Sequence, residues 1–469
     1  MLRSSARDHI DLRSKFVSRA DGAACLWRGE KRLESCEQPV APDNGRAWSG
    51  ESDDSMGTQP LDAETFERRL DRRQGKKGRC PVKIAFAIKS LQALAGGAER
   101  VFCEVASGLA ELGHDITVLT YDPPGSPSYY ALHPSIERHC LAIGDAQGPA
   151  RFYETARRMI ALRSRICEIR PDIVVGFMHS MFVPLGLALA RTGIPLIASE
   201  HIVPDHYNTR PLQKMLLHLT PWLAARITVV SNHALAAYPA QLRKHMTVVP
   251  NPVSLRTSER ANVAGPAQGR KTLLAVGRLA AQKDYTTLID AFALIQHDVP
   301  DWDLRIAGEG ELRGELEARI STLRLGQRVQ LPGNIKNISQ EYASAQLFVM
   351  PSLYESFGLA TAEALAHGLP AVGFADCPGT NILIKPGCNG VLVEADQHRA
   401  RSLATALLPL MQESAARCRL VPTGSSSAEF AMENVIEAWR EMLATIVGTS
   451  ASPPSWLLAV SAHEEIRYR

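Results

Sequence analysis

Short apolar runs alternate with amphipathic stretches along this chain, in a first series that begins near residue 82. Each run is too short for a helix and is bounded by polar residues, glycine or proline, so each predicts a buried strand. The predicted strands of this series are residues 82–88, 115–119, 172–177, 195–199, 227–230 and 247–249. The stretches between them have helical apolar spacing, and strands joined through helices pair in parallel.

A second series of the same kind follows residues 254–270, which have little apolar content. Its predicted strands are residues 272–276, 303–307, 329–331, 347–350, 371–374 and 390–393. Helices are clearest at 284–297 and 311–324, and a further helix is predicted near 427–446. The pattern therefore predicts an α/β protein with two Rossmann-like, doubly wound halves, each built on its own parallel sheet.

These patterns divide the chain into five segments. Residues 80–253 are the predicted first domain, 254–270 a linker, 271–446 the second domain and 447–469 a tail. Residues 1–79 are polar, mixed in charge and aperiodic, which predicts a disordered extension. A basic run at the end of that extension leaves open a second interpretation, a contact with anionic lipid.

Composition narrows the class of protein without revealing its chemistry. The chain has 469 residues, 45% hydrophobic and 22% charged, and its net charge of +3 does not indicate nucleic-acid binding. Nine cysteines without a CxxC pair favour a reduced, cytoplasmic compartment over disulfides or a zinc site. No secretory signal is recognised, and the apolar residues 181–199 are interrupted by Arg191 and prolines, so we interpret them as a helix and a strand.

The most informative stretch, residues 352–370, lies between two predicted strands of the second half. Glu355 falls in the loop after the first of these strands, and Glu363 falls inside the following helix. That helix begins near Gly358, where free N–H groups and the helix dipole favour an anion such as a phosphate. Two acids there suit hydroxyl groups that flank the phosphate, although either Glu alone is ordinarily a surface residue.

Cations and glycine turns are expected at the same sheet edge. Arg278 and Lys283 follow the first strand of the second half and suit a pyrophosphate. Gly308 follows the next strand and permits a close backbone approach. In the first half, Gly96 and Gly97 precede a helix, either as simple loop geometry or as a second approach to a ligand. This set of residues is expected for a nucleotide-sugar site.

Histidines collect after the strands of the first half. His179, Glu200, His201 and His206 fall at or just after predicted strand carboxyl ends. In open α/β sheets ligands bind at that edge. A single histidine is more often structural, so the grouping leaves a functional and a structural interpretation open for each.

Taken in order, these segments resemble the retaining family 4 glycosyltransferases. Glu355 and Glu363, with seven residues between them, resemble the EX7E motif, and further motifs are similar at residues 96–99 (GGAE), 249–252 (VPNP), 276–279 (VGRL) and 306–310 (IAGEG). The resemblance covers residues 82–446, and residues 376–379 (DCPG) are similar to a bacterial branch that transfers hexoses or N-acetylhexosamines. Ser356 and Asp284 stand where the family commonly has glycine.

The resemblance implies a GT-B fold, in which two Rossmann-like domains face each other across a cleft. The second domain would bind a nucleotide-sugar donor, a UDP-sugar, and the first a glycan or lipid-linked acceptor. Arg278 and Lys283 would hold the diphosphate, Glu363 the ribose hydroxyls and Glu355 the transferred sugar. No metal or other cofactor is expected to be required.

The remaining implied roles belong to the rim of the cleft. Backbone N–H groups of Phe357, Gly358 and Leu359 would complete the phosphate and sugar cradle, and Gly96 and Gly97 would close it from the first domain. The resemblance also implies a histidine at the sugar, for which His179 and His201 are the candidates.

Two alternatives differ from a retaining sugar transferase of surface-polysaccharide synthesis. One is a nucleotide-sugar epimerase of the same fold, and the other is a non-catalytic sugar-nucleotide-binding protein. The expected location is the cytoplasm, with peripheral attachment to the inner face of an anionic membrane if the acceptor is lipid-linked.

Overall fold

The computed structural model describes residues 81–92, 96–145, 152–207, 210–253, 259–266, 268–421 and 428–449. These residues belong to one compact unit, residues 78–469. The predicted extension up to residue 79, most of the predicted tail and part of the predicted linker lie outside the described residues.

Seven of the described strands form the sheet of the first lobe. They are β1 (Lys83–Ala87), β2 (Asp115–Thr120), β3 (Glu137–Cys140), β4 (Ile173–Phe177), β5 (Leu196–Glu200), β6 (Arg226–Val229) and β7 (Met246–Val248). Their spatial order is β3-β2-β1-β4-β5-β6-β7, and every pairing is parallel. Its helices are α1 (Gly97–Glu111), α2 (Phe152–Ile169), α3 (His179–Ala188), α4 (Pro211–Leu223), α5 (Asn232–Ala237) and α6 (Ala240–Arg243), with a 3-10 turn at Pro204–Tyr207.

Six of the described strands form the sheet of the second lobe. They are β8 (Lys271–Val276), β9 (Trp302–Ala307), β10 (Val329–Gly333), β11 (Leu347–Met350), β12 (Ala371–Phe374) and β13 (Gly390–Val393), in the order β10-β9-β8-β11-β12-β13. Its helices are α7 (Tyr285–Ile295), α8 (Arg313–Thr322), α9 (Ile338–Ser344), α10 (Leu359–Ala366), α11 (Thr380–Leu383), α12 (Arg399–Gln412) and α13 (Ser414–Arg419). A 3-10 turn, Ala281–Lys283, follows β8.

The central strands are apolar throughout because helices cover both faces of each sheet. All residues of β4, β11 and β12 are buried, for example. Uninterrupted burial is the reason why the sequence predicts these strands well. The edge strand β3 escaped prediction, because its polar residues Glu137–Cys140 are partly exposed and carry no apolar run.

The last described helix, α14 (Met432–Thr449), returns to the first lobe. Ile436 and Trp439 are buried in the core formed by β1 and α1, and the Trp439 ring stacks on Phe177 with centroids 6.1 Å apart. Gly108 of α1 permits this contact, because a Cβ there would lie 2.6 Å from Cδ1 of Ile436. The sequence grouped this helix with the second domain, since apolar spacing reveals a helix's buried face but not which core covers it.

Candidate active site

Loops after neighbouring strands of the second sheet meet at its carboxyl edge. Gly308, after β9, packs against the loop after β8 so closely that a Cβ would lie 2.0 Å from the carbonyl oxygen of Gly277. The Gly308 N–H also donates a 2.9 Å hydrogen bond to the carbonyl of Gly333 at the end of β10. The structure therefore places Gly308 at the sheet edge where the sequence predicted it, in contact with Gly277 in the loop after β8 and with Gly333 at the end of β10.

Glu355 is held at this edge by two side chains. Its Oε1 lies 2.5 Å from Nζ of Lys283 and accepts a 2.6 Å hydrogen bond from Oγ of Ser352. Glu355 is buried, and its backbone N–H donates to the carbonyl of Pro378 at 2.9 Å. The carboxylate is therefore fixed in position by a cation, a hydroxyl and its own main chain.

Gly379 lies directly against the main chain of Glu355. The residue has φ +85°, and a Cβ on it would lie 2.5 Å from the carbonyl oxygen of Glu355. Glycine is needed here on both counts, since the left-handed region and the close approach each exclude a side chain. The loop after β12 therefore packs directly against the main chain of Glu355.

Glu363 is buried in α10, and each of its two oxygens has a partner. The hydroxyl of Tyr342 donates a 2.9 Å hydrogen bond to Oε2. Oε1 forms an ion pair with Nη1 of Arg100, which belongs to α1 in the other lobe. Nε of Arg100 donates in turn to Glu104 at 2.8 Å. The two acids singled out in the sequence therefore occupy different surroundings, Glu355 within its own lobe and Glu363 bridging to the first.

The N-terminus of α10 faces the first lobe. Gly358 caps the helix with φ +84° and, as a glycine, supplies no side-chain hydrogen bond to the first turn of the helix. A Cβ on Gly97 would lie 3.7 Å from Cδ2 of Leu359, and Oγ of Ser231 donates to the carbonyl of Ser356 at 3.0 Å. The predicted cradle around Phe357, Gly358 and Leu359 is thus adjacent to the glycines of the first lobe, while its role toward a phosphate stays a prediction.

Arg278 is exposed, and its charge affects the pKa values of two side chains of the first lobe. Burial raises the pKa of Glu99, and the positive charge of Arg278 counteracts that effect. Arg278 also lowers the pKa of His206, after burial and Arg210. Gly96 is close to the same Glu99, because a Cβ on Gly96 would meet the Glu99 carboxylate. Glu99 belongs to the motif of residues 96–99, but the sequence alone indicated no role for it.

The two histidine candidates have different surroundings. The His201 ring stacks on Phe177 with centroids 4.8 Å apart, and its Nε2 is 3.0 Å from Oγ of Ser199. His179 begins α3 and meets the Tyr207 ring edge-on at 5.0 Å. Burial lowers the pKa of both imidazoles to about 4, so both are neutral near neutral pH. A neutral imidazole can exchange hydrogen bonds with a sugar hydroxyl.

Glu200 organises the loop that carries these groups. Its Oε1 accepts hydrogen bonds of 3.0 Å from the N–H groups of His201 and Ile202, and its Oε2 accepts one of 2.8 Å from the Tyr207 hydroxyl. Burial raises the pKa of the carboxyl to about 7. Glu200 therefore ties the end of β5 to the 3-10 turn, at a position where the sequence showed only an acid beside histidines.

Asp284, one of the departures noted in the sequence, occupies the left-handed conformation that glycine would adopt easily, with φ +48°. The turn after Lys283 therefore adopts the left-handed conformation although aspartate stands where glycine is common. Among the described residues, no group of three or more His, Cys, Asp or Glu side chains is arranged to hold a metal ion. The expected independence of metal stays a prediction. None of the described helices is both long and apolar enough to cross a membrane.

Comparison with known proteins assigns the two lobes. A model described as "Glycosyltransferase Family 4" matches residues 95–257, and one described as "Glycosyl transferases group 1" matches residues 257–425. The chain is 23% identical, over 78% of its length and 99% of the relative's, to a Campylobacter jejuni α-1,4-N-acetyl-D-galactosaminyltransferase named for a diNAcBac-PP-undecaprenol acceptor.

Solved structures show the same fold. Sucrose-phosphate synthase from Thermosynechococcus elongatus superposes with a TM-score of 0.65 at 21% identity, over 79% of this chain and all of that one. Anabaena HepE, solved with UDP and glucose, superposes with a TM-score of 0.60 at 19% identity, over 77% of this chain and 99% of that one.

Two lobes, each built on a parallel sheet between helices, and the superposition on these solved structures show a GT-B architecture, which confirms the predicted fold class. The chain belongs to the glycosyltransferases, with a family 4 first lobe and a group 1 second lobe.

Proposed function

We propose that this glycosyltransferase moves a hexose or N-acetylhexosamine from a UDP-sugar to a glycan or lipid-linked acceptor, with retention of configuration, in the synthesis of a surface polysaccharide or glycoconjugate. The observation that carries the proposal is the Lys283–Glu355 pair, set before the N-terminus of α10, where the cap residue Gly358 makes no side-chain hydrogen bond. Relatives support the substrate classes: HepE was solved with UDP and glucose, the Campylobacter enzyme is named for an undecaprenol-linked acceptor, and a further relative is named for amylovoran biosynthesis.

The charges of the site suit departure of a nucleoside diphosphate. As the bond between the sugar and the diphosphate breaks, negative charge grows on the phosphate and positive charge on the sugar. Arg278, Lys283 and the N–H groups before α10 would stabilise the phosphate. Because the Lys283 ammonium has three donors, it can keep its contact with Glu355 while it binds a phosphate oxygen.

The carboxylates would serve hydroxyl groups rather than phosphate. Glu355 would accept hydrogen bonds from the transferred sugar, and Glu363 would accept them from the ribose. His179 would position the sugar, because the His201 ring is already engaged by Phe177 and Ser199. In front-face transfer, the acceptor oxygen bonds to the anomeric carbon, the bond from that carbon to the phosphate oxygen breaks, and this oxygen takes the acceptor's proton.

The test is a panel of UDP- and GDP-sugars, read first by thermal shift and then by product analysis with lipid-linked and oligosaccharide acceptors. We expect a UDP-sugar to stabilise the protein and an α-configured donor to give an α-linked product. Glu355→Gln should lose at least about 100-fold of the transfer rate. The matched control Glu317→Gln changes an exposed acid of the same lobe and should keep the full rate.

Equal transfer by Glu355→Gln and the natural chain would overturn the assigned role. Conversion of the donor when no acceptor is present would instead identify an epimerase. A β-linked product from an α-linked donor would overturn retention.

A further inference from the structure

The outward side of α4 carries an exposed apolar stripe. Leu212, Met215, Leu219 and Trp222 follow one another at steps of three, four and three residues, so they share one face of the helix. They are 63%, 57%, 40% and 77% exposed, whereas Leu217 on the opposite side is buried in the core of the first lobe. Single exposed apolar residues are ordinary, but a continuous stripe that includes a Trp marks an interaction surface.

The segment around this stripe is almost free of acidic residues. Residues 173–258 contain Glu200 and Asp205 as their only acids, and Glu200 is buried beneath the Tyr207 hydroxyl. The same segment contains seven Lys and Arg residues: Arg191, Arg210, Lys214, Arg226, Arg243, Lys244 and Arg256. The whole chain is nearly balanced, with 52 basic and 49 acidic residues. This part of the chain therefore carries a net positive charge, because acidic residues are scarce in it.

We propose that this α4 face docks on an anionic membrane surface. A helix lying in the plane of such a surface places Leu, Met and Trp side chains at the boundary of the acyl chains. Lys214, exposed on the same helix beside the stripe, would meet the phosphate headgroups, and its charge adds to the attraction. The thirteen residues of α4 span about 20 Å, enough for the stripe to enter the interface along its whole length.

Charge argues against a second copy of the chain as the occupant. A symmetric dimer through α4 would bring the exposed Arg210 and Lys214 of both copies to one interface, and like charges across an interface are unfavourable. An anionic lipid surface supplies the missing opposite charge together with an apolar layer for the stripe.

The position of α4 connects docking with the cleft. Arg210, just before α4, lies 2.7 Å from Nε2 of His206, whose pKa is lowered in part by the charge of Arg278. A membrane against α4 would therefore lie close to the site and would present a lipid-linked acceptor to it. Only this consequence rests on the proposed function, because docking itself is measured without sugar transfer.

The test is flotation of the full-length chain with vesicles of phosphatidylcholine, alone or with about one third phosphatidylglycerol. We expect binding to the anionic vesicles, weaker binding at high salt and little binding to the neutral ones. The double variant Leu212→Ser with Trp222→Ser should bind roughly tenfold more weakly or worse. Leu294→Ser is the matched control, because Leu294 is 57% exposed on α7 of the other lobe, and it should bind like the natural chain.

A second variant separates charge from apolar contact. Lys214→Glu should weaken binding to anionic vesicles, and Lys385→Glu, an exposed lysine of the second lobe, should not. All variants should keep the natural melting temperature, since the altered side chains are exposed. Absence of binding to anionic vesicles, or equal binding by the double variant, would overturn the proposal. A dimer that dissociates in the double variant would also overturn it, in favour of a second copy as the occupant.

Discussion

The Arg100 guanidinium on the first helix of one lobe forms an ion pair with the Glu363 carboxylate in the other lobe. Both side chains are largely buried, and Tyr342 and Glu104 complete the hydrogen bonding around the pair. The carboxylate that we propose for the ribose is thus already engaged by Arg100 of the first lobe, which links the proposed donor site to the arrangement of the lobes.

Removal of Arg100 is expected to destabilise the protein. Arg100→Met leaves the buried Glu363 without its cation, and loss of one partner of a buried pair should cost about 3 kcal/mol of unfolding free energy. The control Arg440→Met breaks the more exposed pair with Glu437 and should cost at most about 1 kcal/mol. Chemical denaturation of both variants provides the measurement, and equal losses would contradict a structural role for the pair between the lobes.

Lys283 is expected to affect donor binding and transfer together. Lys283→Met removes a cation from the proposed diphosphate site and leaves Glu355 with Ser352 as its remaining side-chain partner among the described contacts. The transfer rate should fall about 100-fold, and UDP binding measured by calorimetry should weaken. Lys283→Arg should restore part of the binding. Unchanged UDP affinity in Lys283→Met would exclude the assigned phosphate contact.

Gly379 is expected to tolerate no side chain. Gly379→Ala combines a left-handed backbone with a clash against the main chain of Glu355, so it should cost roughly 2–4 kcal/mol and displace that carboxylate. Gly387→Ala is the matched control, because Gly387 has φ +77° with nothing near its Cβ position. It should cost about 1 kcal/mol and leave transfer intact. Similar losses of stability and transfer in both variants would show that contact with Glu355 is unimportant.

Glu200 is expected to make stability depend on pH. Burial raises its pKa from 4.5 to about 7, so between these values the folded chain keeps a proton that the unfolded chain has released. The resulting stabilisation is complete below about pH 4.5 and is lost as the pH rises through about 7. Glu200→Gln removes this loss, so its stability relative to the natural chain should rise by about 3 kcal/mol across that range.

Denaturation from about pH 5 to about pH 8 tests the Glu200 prediction. His179 and His201, whose pKa values are lowered to about 4, impose the opposite slope, but they are present in both proteins and cancel in the difference. A difference between Glu200→Gln and the natural chain that does not vary with pH would contradict the assignment.

Part of the candidate site could be predicted from local sequence patterns. Glu355, Lys283 and Gly308 follow strands of one parallel sheet, and parallel strands carry their following loops to one edge, so their proximity could be expected from strand order. Ser352 and Tyr342 escaped prediction, because a hydroxyl that faces a carboxylate leaves no pattern in the sequence. Glu99 lies in the glycine motif of residues 96–99 and Arg100 follows it directly, yet the direction in which that helix faces depends on the packing of the lobes.

Apolar periodicity is a local property of the sequence. For this reason, residue order alone predicted nearly all strands, the two-lobe plan and the loops that hold the candidate site residues. Long-range packing decided the rest. Arg100 and Glu363 are separated by 263 positions, and α14 buries Trp439 in the lobe that begins at the other end of the described chain. Which buried charges pair, and which core covers a returning helix, depend on surfaces that form only when both lobes are folded.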